Sequence, residues 1–228
     1  VDDLASRLAD VDARITDAAR AAGRDPSGLT RIVVTKFHDA SIVEELYRLG
    51  VRDVGENRQQ ELTQKAEAIG PLDGLRWHFI GQAQTNKARA IRSAASVVHS
   101  VDRDRLADAL DAAGDDGATD LDVLLQVNLT ADPGRGGVQP GGLAALAEHV
   151  AGCRTLRVRG VMGVAPLDED PAAAFERLRV CSERLRGIVP DATWISAGMT
   201  ADFAEAIAAG ATHLRIGSAI TGPRPPRG

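Results

Sequence analysis

Short apolar runs rich in Val and Ile alternate along this chain with longer stretches whose apolar residues recur every three to four positions. The first periodic stretch covers residues 1–22, places Leu4, Leu8, Val11 and Ile15 on one face, and stops at Gly23, which predicts an opening helix. Strands are then predicted at Arg31–Lys36, Arg52–Gly55, Arg76–Ile80, Ser96–Val101, Leu121–Asn128, Leu156–Val164, Thr193–Ser196 and His213–Gly217. Helical patterns separate them at 41–49, 57–68, 86–93, 103–113, 143–151, 172–188 and 202–209. Strand and helix in strict alternation predict a single α/β domain over 1–228, a parallel (β/α)8 TIM barrel with an additional N-terminal helix. A doubly wound open sheet is the rival, but no Gly-rich dinucleotide turn follows the first strand. The Pro-rich tail, 223–228, is expected to trail loosely off the fold.

In such barrels the reactive groups gather where the strands run out at their C-terminal ends. Side chains alternate along each strand, so Val123, Leu125 and Val127 share a face suited to packing under helices. Leu124, Gln126 and Asn128 share the other face, which turns polar toward the mouth. By the same parity Leu214 and Ile216 face the helices, while His213, Arg215 and Gly217 point inward.

Lys36 ends the first apolar run, where burial would lower the pKa of its amine and free the lone pair for Schiff-base chemistry. The plain alternative is a lysine whose stem lies on apolar surface and whose ammonium reaches water. Arg215 leads into the same mouth from the adjoining last strand, and an inward arginine needs acceptors. Two cations converging there ask for an anion or an electron-rich ring. Ser196-Ala197-Gly198-Met199-Thr200 after strand seven and Gly217-Ser218 after strand eight are the loops that often hold phosphate in this fold. Lysine, arginine and phosphate loops together suggest pyridoxal 5′-phosphate.

Composition narrows the partners. Net charge is -5 and aromatics are only 3% of 228 residues, which argues against a nucleic-acid surface. No apolar segment approaches a membrane span, and the amphipathic N-terminus is no secretory signal, so a cytoplasmic protein is expected. Cys153 and Cys181 have no metal-site spacing and read as reduced thiols. The sequon at Asn128-Leu129-Thr130 therefore reads as chance.

Ordered motifs run nearly end to end: Val33-Val34-Thr35-Lys36, Gly55-Glu56-Asn57, Trp77-His78-Phe79-Ile80-Gly81, Gln84-Thr85-Asn86-Lys87 and His99-Ser100-Val101-Asp102. They continue through Gln126-Val127-Asn128, Gly160-Val161-Met162, the stretch from Ser196 to Phe203, and Arg215-Ile216-Gly217-Ser218-Ala219-Ile220. On these residues the chain resembles the pyridoxal phosphate homeostasis proteins, which share a fold-type III barrel with the N-terminal domain of alanine racemases. The resemblance implies that Lys36 forms the Schiff base with pyridoxal 5′-phosphate and that Arg215 partners the pyridine nitrogen. It implies phosphate-binding positions at Ser196, Thr200, Gly217 and Ser218, counts Met199 among the cofactor-binding residues, and places Asn57 and Met162 near the ring. Thr35 stands where serine is frequent, Phe37-His38 follow the lysine where the family varies, and Gln82-Ala83 replace a common His-Leu pair. His78 reads as a hydrogen-bonded structural residue, with a general base as the alternative.

A permanently charged arginine keeps the pyridine nitrogen unprotonated and weakens the ring as an electron sink. Racemases of this fold type add a tyrosine base from another domain. Here the single tyrosine, Tyr47, is predicted on the first barrel helix, and about a dozen residues follow the last strand. The expectation is a non-catalytic protein that carries or buffers the cofactor through Lys36, in pyridoxal phosphate homeostasis and indirectly amino-acid balance. Other B6 vitamers and cofactor-dependent recipient enzymes are the implied partners, and a monomer is the default. The alternatives are a small amino-acid racemase or lyase and, further off, a cofactor-free Schiff-base aldolase.

Overall fold

Eight strands pair in chain order, each parallel to the next, and the last pairs back onto the first to close a barrel. The computed structural model describes residues 3–114 and 119–224. The strands are β1 (Thr30–Val34), β2 (Asp53–Glu56), β3 (Arg76–Phe79), β4 (Val97–Val101), β5 (Leu121–Gln126), β6 (Leu156–Met162), β7 (Trp194–Ser196) and β8 (His213–Ile216). Closure runs from Thr30 opposite His213 to Val33 opposite Ile216. An opening helix α1 (Leu4–Ala21) precedes β1; α2 (Ala40–Arg48), α3 (Gln59–Ile69), α4 (Ala88–Ala94), α5 (Asp104–Ala112), α6 (Leu143–Ala151), α7 (Pro171–Arg186) and α8 (Phe203–Ala208) link successive strands. The expected (β/α)8 barrel with a helix in front is what the chain forms. A short α9 (Ser218–Thr221) after β8 was not expected.

Local chemistry explains the ends of these elements. Asp3 caps α1 by accepting the Ser6 N–H at 2.8 Å, and α7 starts with Pro171 behind the capping Asp170. The apolar stripe of α1, namely Leu4, Leu8, Val11, Ile15 and Ala19, is buried and packs against α8 and α9. Arg24 secures the junction through the carbonyls of Ile207 (2.8 Å) and Ala211 (2.6 Å).

Alternation along the strands holds as expected. Val123, Leu125, Val127, Leu214 and Ile216 join the large apolar layer between strands and helices. Leu124 instead meets Val97 and Met162 inside the barrel, against Trp194. Branched apolar residues usually fill such interiors. Here His78, His99 and His213 occupy much of the space, with ring centroids 5.1–6.5 Å apart.

Three expectations need correction. The first strand stops at Val34, so Lys36 lies in the following turn. The fifth stops at Gln126, and Asn128 builds the next loop: its Oδ1 accepts the Thr130 N–H at 2.9 Å and its amide donates to Asp132 O at 2.8 Å. The tail does not simply trail away, because the Arg224 guanidinium lies 4.0 Å from the centre of the Phe37 ring. Residues 225–228 of that prediction, and 1–2 of the opening helix, lie outside the described residues. Among the described residues no helix is long and apolar enough to cross a membrane, and Cys153 and Cys181 are free thiols.

Candidate functional site

The turn that carries Lys36 is built by residues that bracket it. The His38 N–H donates back to the Thr35 carbonyl at 3.2 Å, and Phe37 sits at φ 70°, the only non-glycine with positive φ among the described residues. Three groups from β2 and α3 clamp this strained turn. The Phe37 N–H donates to Glu61 Oε2 at 2.8 Å. Lys65 Nζ donates to the Thr35 carbonyl at 2.7 Å and to Glu56 Oε1 at 2.6 Å. The Thr35 hydroxyl donates to the same Glu56 oxygen at 2.5 Å. Thr35, Glu56 and Lys65 are buried, and burial pushes the Glu56 carboxyl up despite the opposing pull of Lys65 and Thr35.

Lys36 itself is exposed. That corrects the expectation of a buried amine at a strand tip: Lys36 falls in the turn beyond β1, and Thr35, Glu56 and Lys65 occupy the buried positions instead. Nothing in the sequence pattern marks Lys65, whose i,i+4 spacing from Glu61 on α3 reads as an ordinary surface pair.

Beside the turn, on the strand paired with β1, Arg215 rises from β8 with only 5% of its surface exposed. Its NH1 donates to Ser196 Oγ at 2.6 Å and its NH2 to the Gly163 carbonyl at 3.0 Å. Burial lowers the guanidinium to about 10, so it stays charged at neutral pH. The loop after β7 turns at Gly198 (φ 92°), where a Cβ would come within 2.8 Å of Ala206 Cβ. Asp202 accepts the Met199 N–H at 2.6 Å within that loop.

Together these elements enclose a cavity of about 470 Å³ at the C-terminal mouth. Lys36, Asn57, Met199, Thr200, Arg215, Gly217 and Ser218 all line it, joined by Phe37, His38 and Arg224. Met162 and Ser196 do not. Met162 is buried in the inner apolar cluster, and Ser196 lies beneath Arg215 with its hydroxyl between Arg215 and His99. Asn57 Oδ1 is buried without a partner. The Asn57 backbone passes so close to the chain that follows β3 that a Cβ at Gly81 would lie 1.8 Å from its carbonyl oxygen. A second cleft of about 540 Å³ adjoins at Asn57 and carries Arg58, Lys87 and Arg103 beside Gln82 and Gln84.

Three cations, Lys36, Arg215 and Arg224, face the first cavity. Burial, then the charge of Lys65, holds His38 below its ordinary value. The site is therefore suited to an anion that also reacts with an amine. Tyr47 stands elsewhere, its hydroxyl donating to the Asp73 carbonyl at 2.9 Å in the segment that enters β3. His78 is fully buried with both ring nitrogens hydrogen-bonded, which supports the structural reading. On the outer face, His149 is engaged by Asp108 at 2.7 Å beside Cys153.

Residues 12–225 match the family model "Alanine racemase, N-terminal domain". A pyridoxal phosphate homeostasis protein of Pseudomonas aeruginosa is 42% identical, with 97% of this chain and 96% of that protein aligned. The one from Mycobacterium tuberculosis H37Rv is 38% identical over 97% of this chain and 93% of its own. Among solved structures, PipY of Synechococcus elongatus with PLP bound superposes at a TM-score of 0.83 and 32% identity, covering 96% and 99% of the two chains.

Proposed function

We propose, from the premise that this chain belongs to the alanine racemase N-terminal-domain family and within it to the pyridoxal phosphate homeostasis proteins, that it holds pyridoxal 5′-phosphate at Lys36 for exchange. The observation that carries this reading is the convergence of the Lys36 amine, the Arg215 guanidinium and the 199–200 and 217–218 loops on one cavity of about 470 Å³. A phosphorylated pyridine aldehyde fits such a wall. Cations offset its charge, Thr200 and Ser218 offer hydroxyls, and the buried, unpartnered Asn57 Oδ1 is a polar group left for a guest.

When bound, pyridoxal phosphate supplies an aldehyde that exchanges reversibly between primary amines. Lys36 supplies the protein's amine, and its exposure leaves that nitrogen open to water and to an incoming amine. Such access suits a carrier; a racemase site excludes water to protect a reactive carbanion. Arg215 stays cationic and donates hydrogen bonds, so it gives the ring nitrogen no proton-accepting partner. Thr200, Gly217 and Ser218 would hold the phosphate, Arg224 would add charge at the rim, and Met199 would cover the loop side. Recipient enzymes and other phosphorylated B6 vitamers are the partners this reading implies, within the cytoplasm.

The test is a spectrum of the purified protein with added pyridoxal phosphate, followed by borohydride reduction and peptide mass mapping. The expected result is a visible band and a reduced adduct on Lys36. An adduct spread over surface lysines, with none at Lys36, overturns the assignment.

A further inference from the structure

Beneath the cavity, a column of buried polar side chains crosses the barrel interior. Arg215 NH1 donates to Ser196 Oγ at 2.6 Å; that oxygen is 2.9 Å from His99 Nδ1. His99 Nε2 is 2.8 Å from His78 Nδ1, and His78 Nε2 is 2.8 Å from Asp53 Oδ1. Ser196, His78 and His99 are fully or almost fully buried. Asp53 opens β2 at the N-terminal end of the barrel, where Arg76 also reaches it at 2.7 Å. The column therefore spans from the floor to the mouth.

Its two ends dictate its proton order. An arginine only donates, and an ionised carboxylate only accepts. Arg215 takes a lone pair of Ser196, so the serine proton goes to a bare Nδ1 on His99. His99 then carries its proton on Nε2 and donates to a bare Nδ1 on His78. His78 carries its own proton on Nε2 and donates it to Asp53. The reverse order would aim a bare His78 nitrogen at the carboxylate and leave the serine proton without an acceptor in the column. A doubly protonated ring would put a second buried cation in line with Arg215.

The surrounding charges agree with this order. Burial holds His78 below its ordinary value against the pull of Asp53 and Asp122, with Arg76 adding to the lowering. Burial lowers His99 well below its ordinary value, and the Arg215 cation adds to the lowering. Burial works against ionised Asp53, but the hydrogen bond from His78 and the charge of Arg76 hold its carboxyl below the usual range.

We propose that Asp53, His78, His99 and Ser196 form a proton-ordered relay, with both histidines neutral and protonated on Nε2, that fixes Arg215 as a hydrogen-bond donor toward the bound ring. Ser196 thereby acts on the ligand through Arg215, and His78 and His99 are positioning residues. With NH1 held by Ser196 and NH2 by Gly163, the guanidinium plane cannot turn. Deleting His99 frees the serine hydroxyl to rotate and removes the polarisation that Asp53 sends along the chain. The link to the ring rests on the binding function proposed above, whereas the proton order does not.

Two measurements decide it. Nitrogen-15 NMR of the ligand-free protein at pH 7 is expected to show bare Nδ1 and protonated Nε2 in both His78 and His99. A proton on Nδ1 of either ring, or an imidazolium, overturns the order whether or not the protein binds pyridoxal phosphate. In the second measurement, His99→Leu is expected to shift the absorbance band of added pyridoxal phosphate and weaken its retention by up to about tenfold, the scale of one ordinary hydrogen bond's net contribution. His99→Gln, which keeps an acceptor and a donor, restores both toward wild type. A His99→Leu protein with wild-type band and retention overturns the positioning role. Should that variant not fold, Gln in its place must still support wild-type band and retention, and a Gln variant deficient in both overturns the role.

Discussion

Lys65 sets its ammonium 2.7 Å from the carbonyl oxygen of Thr35, the residue that directly precedes Lys36. The same ammonium pairs with Glu56 at 2.6 Å, so one buried cation joins α3, β2 and the turn that carries Lys36. The exposed lysine proposed to meet the ligand thus sits on a turn held by a buried lysine that lines no part of the cavity.

Removing that buried partner is costly. Lys65→Met leaves Glu56 buried and unpaired, and is expected to lower unfolding stability by about 3–5 kcal/mol. The double variant Lys65→Met/Glu56→Gln recovers part of the loss, because no uncompensated charge remains. Urea denaturation of the three proteins checks this, and a single variant as stable as wild type defeats the clamp.

Lys36→Ala separates chemistry from stability. The side chain is exposed, so the unfolding free energy stays within about 0.5 kcal/mol of wild type. The borohydride-trapped adduct disappears. Pyridoxamine phosphate, which has no aldehyde, is expected to bind wild type and Lys36→Ala alike. A large difference in calorimetric affinity between the two would show that Lys36 does more than supply an amine.

Thr200→Ala tests the loop assignment. It lines the cavity, and loss of its hydroxyl is expected to weaken retention of pyridoxal phosphate by about tenfold or less. Unphosphorylated pyridoxal should be unaffected. Equal weakening of both ligands would place the hydroxyl away from the phosphate.

Gly198→Ala strains the same loop without touching a ligand. At φ 92°, and with Ala206 Cβ 2.8 Å from the added methyl, the backbone must shift. A loss of about 1–3 kcal/mol is expected by thermal or chemical denaturation. Unchanged stability would mean that this turn relaxes freely.

The three interior histidines predict a pH response. Burial lowers all of them in the folded state, His213 to about 3. A depressed folded pKa stabilises above the unfolded value of about 6.5, and that stability is lost as pH falls toward the folded value. Denaturation midpoints should hold steady above pH 7 and fall progressively below about 6.5, by up to ~1.4 kcal/mol per pH unit for each histidine that stays neutral when folded. A flat midpoint between pH 7 and pH 5.5 would mean the imidazoles charge without unfolding the barrel.

What the chain settles by itself is the alternation of strand and helix, and with it the barrel, because periods of two and near four are local properties of the sequence. Inward and outward parity follow from the same periods, as Leu124 against Val123 and Leu125 illustrates. Lys36, Arg215 and the 199–200 and 217–218 loops could be placed at one mouth because strand ends in a parallel barrel all open on the same side. Only tertiary structure decided that Lys36 is exposed, since a clamp from Glu56, Glu61 and Lys65 ends β1 early. It also decided that Ser196 and Met162 lie below the cavity. Residues 53, 78, 99, 196 and 215 become neighbours only when eight strands close into a ring, and no sequence period encodes hydrogen bonds across that interior.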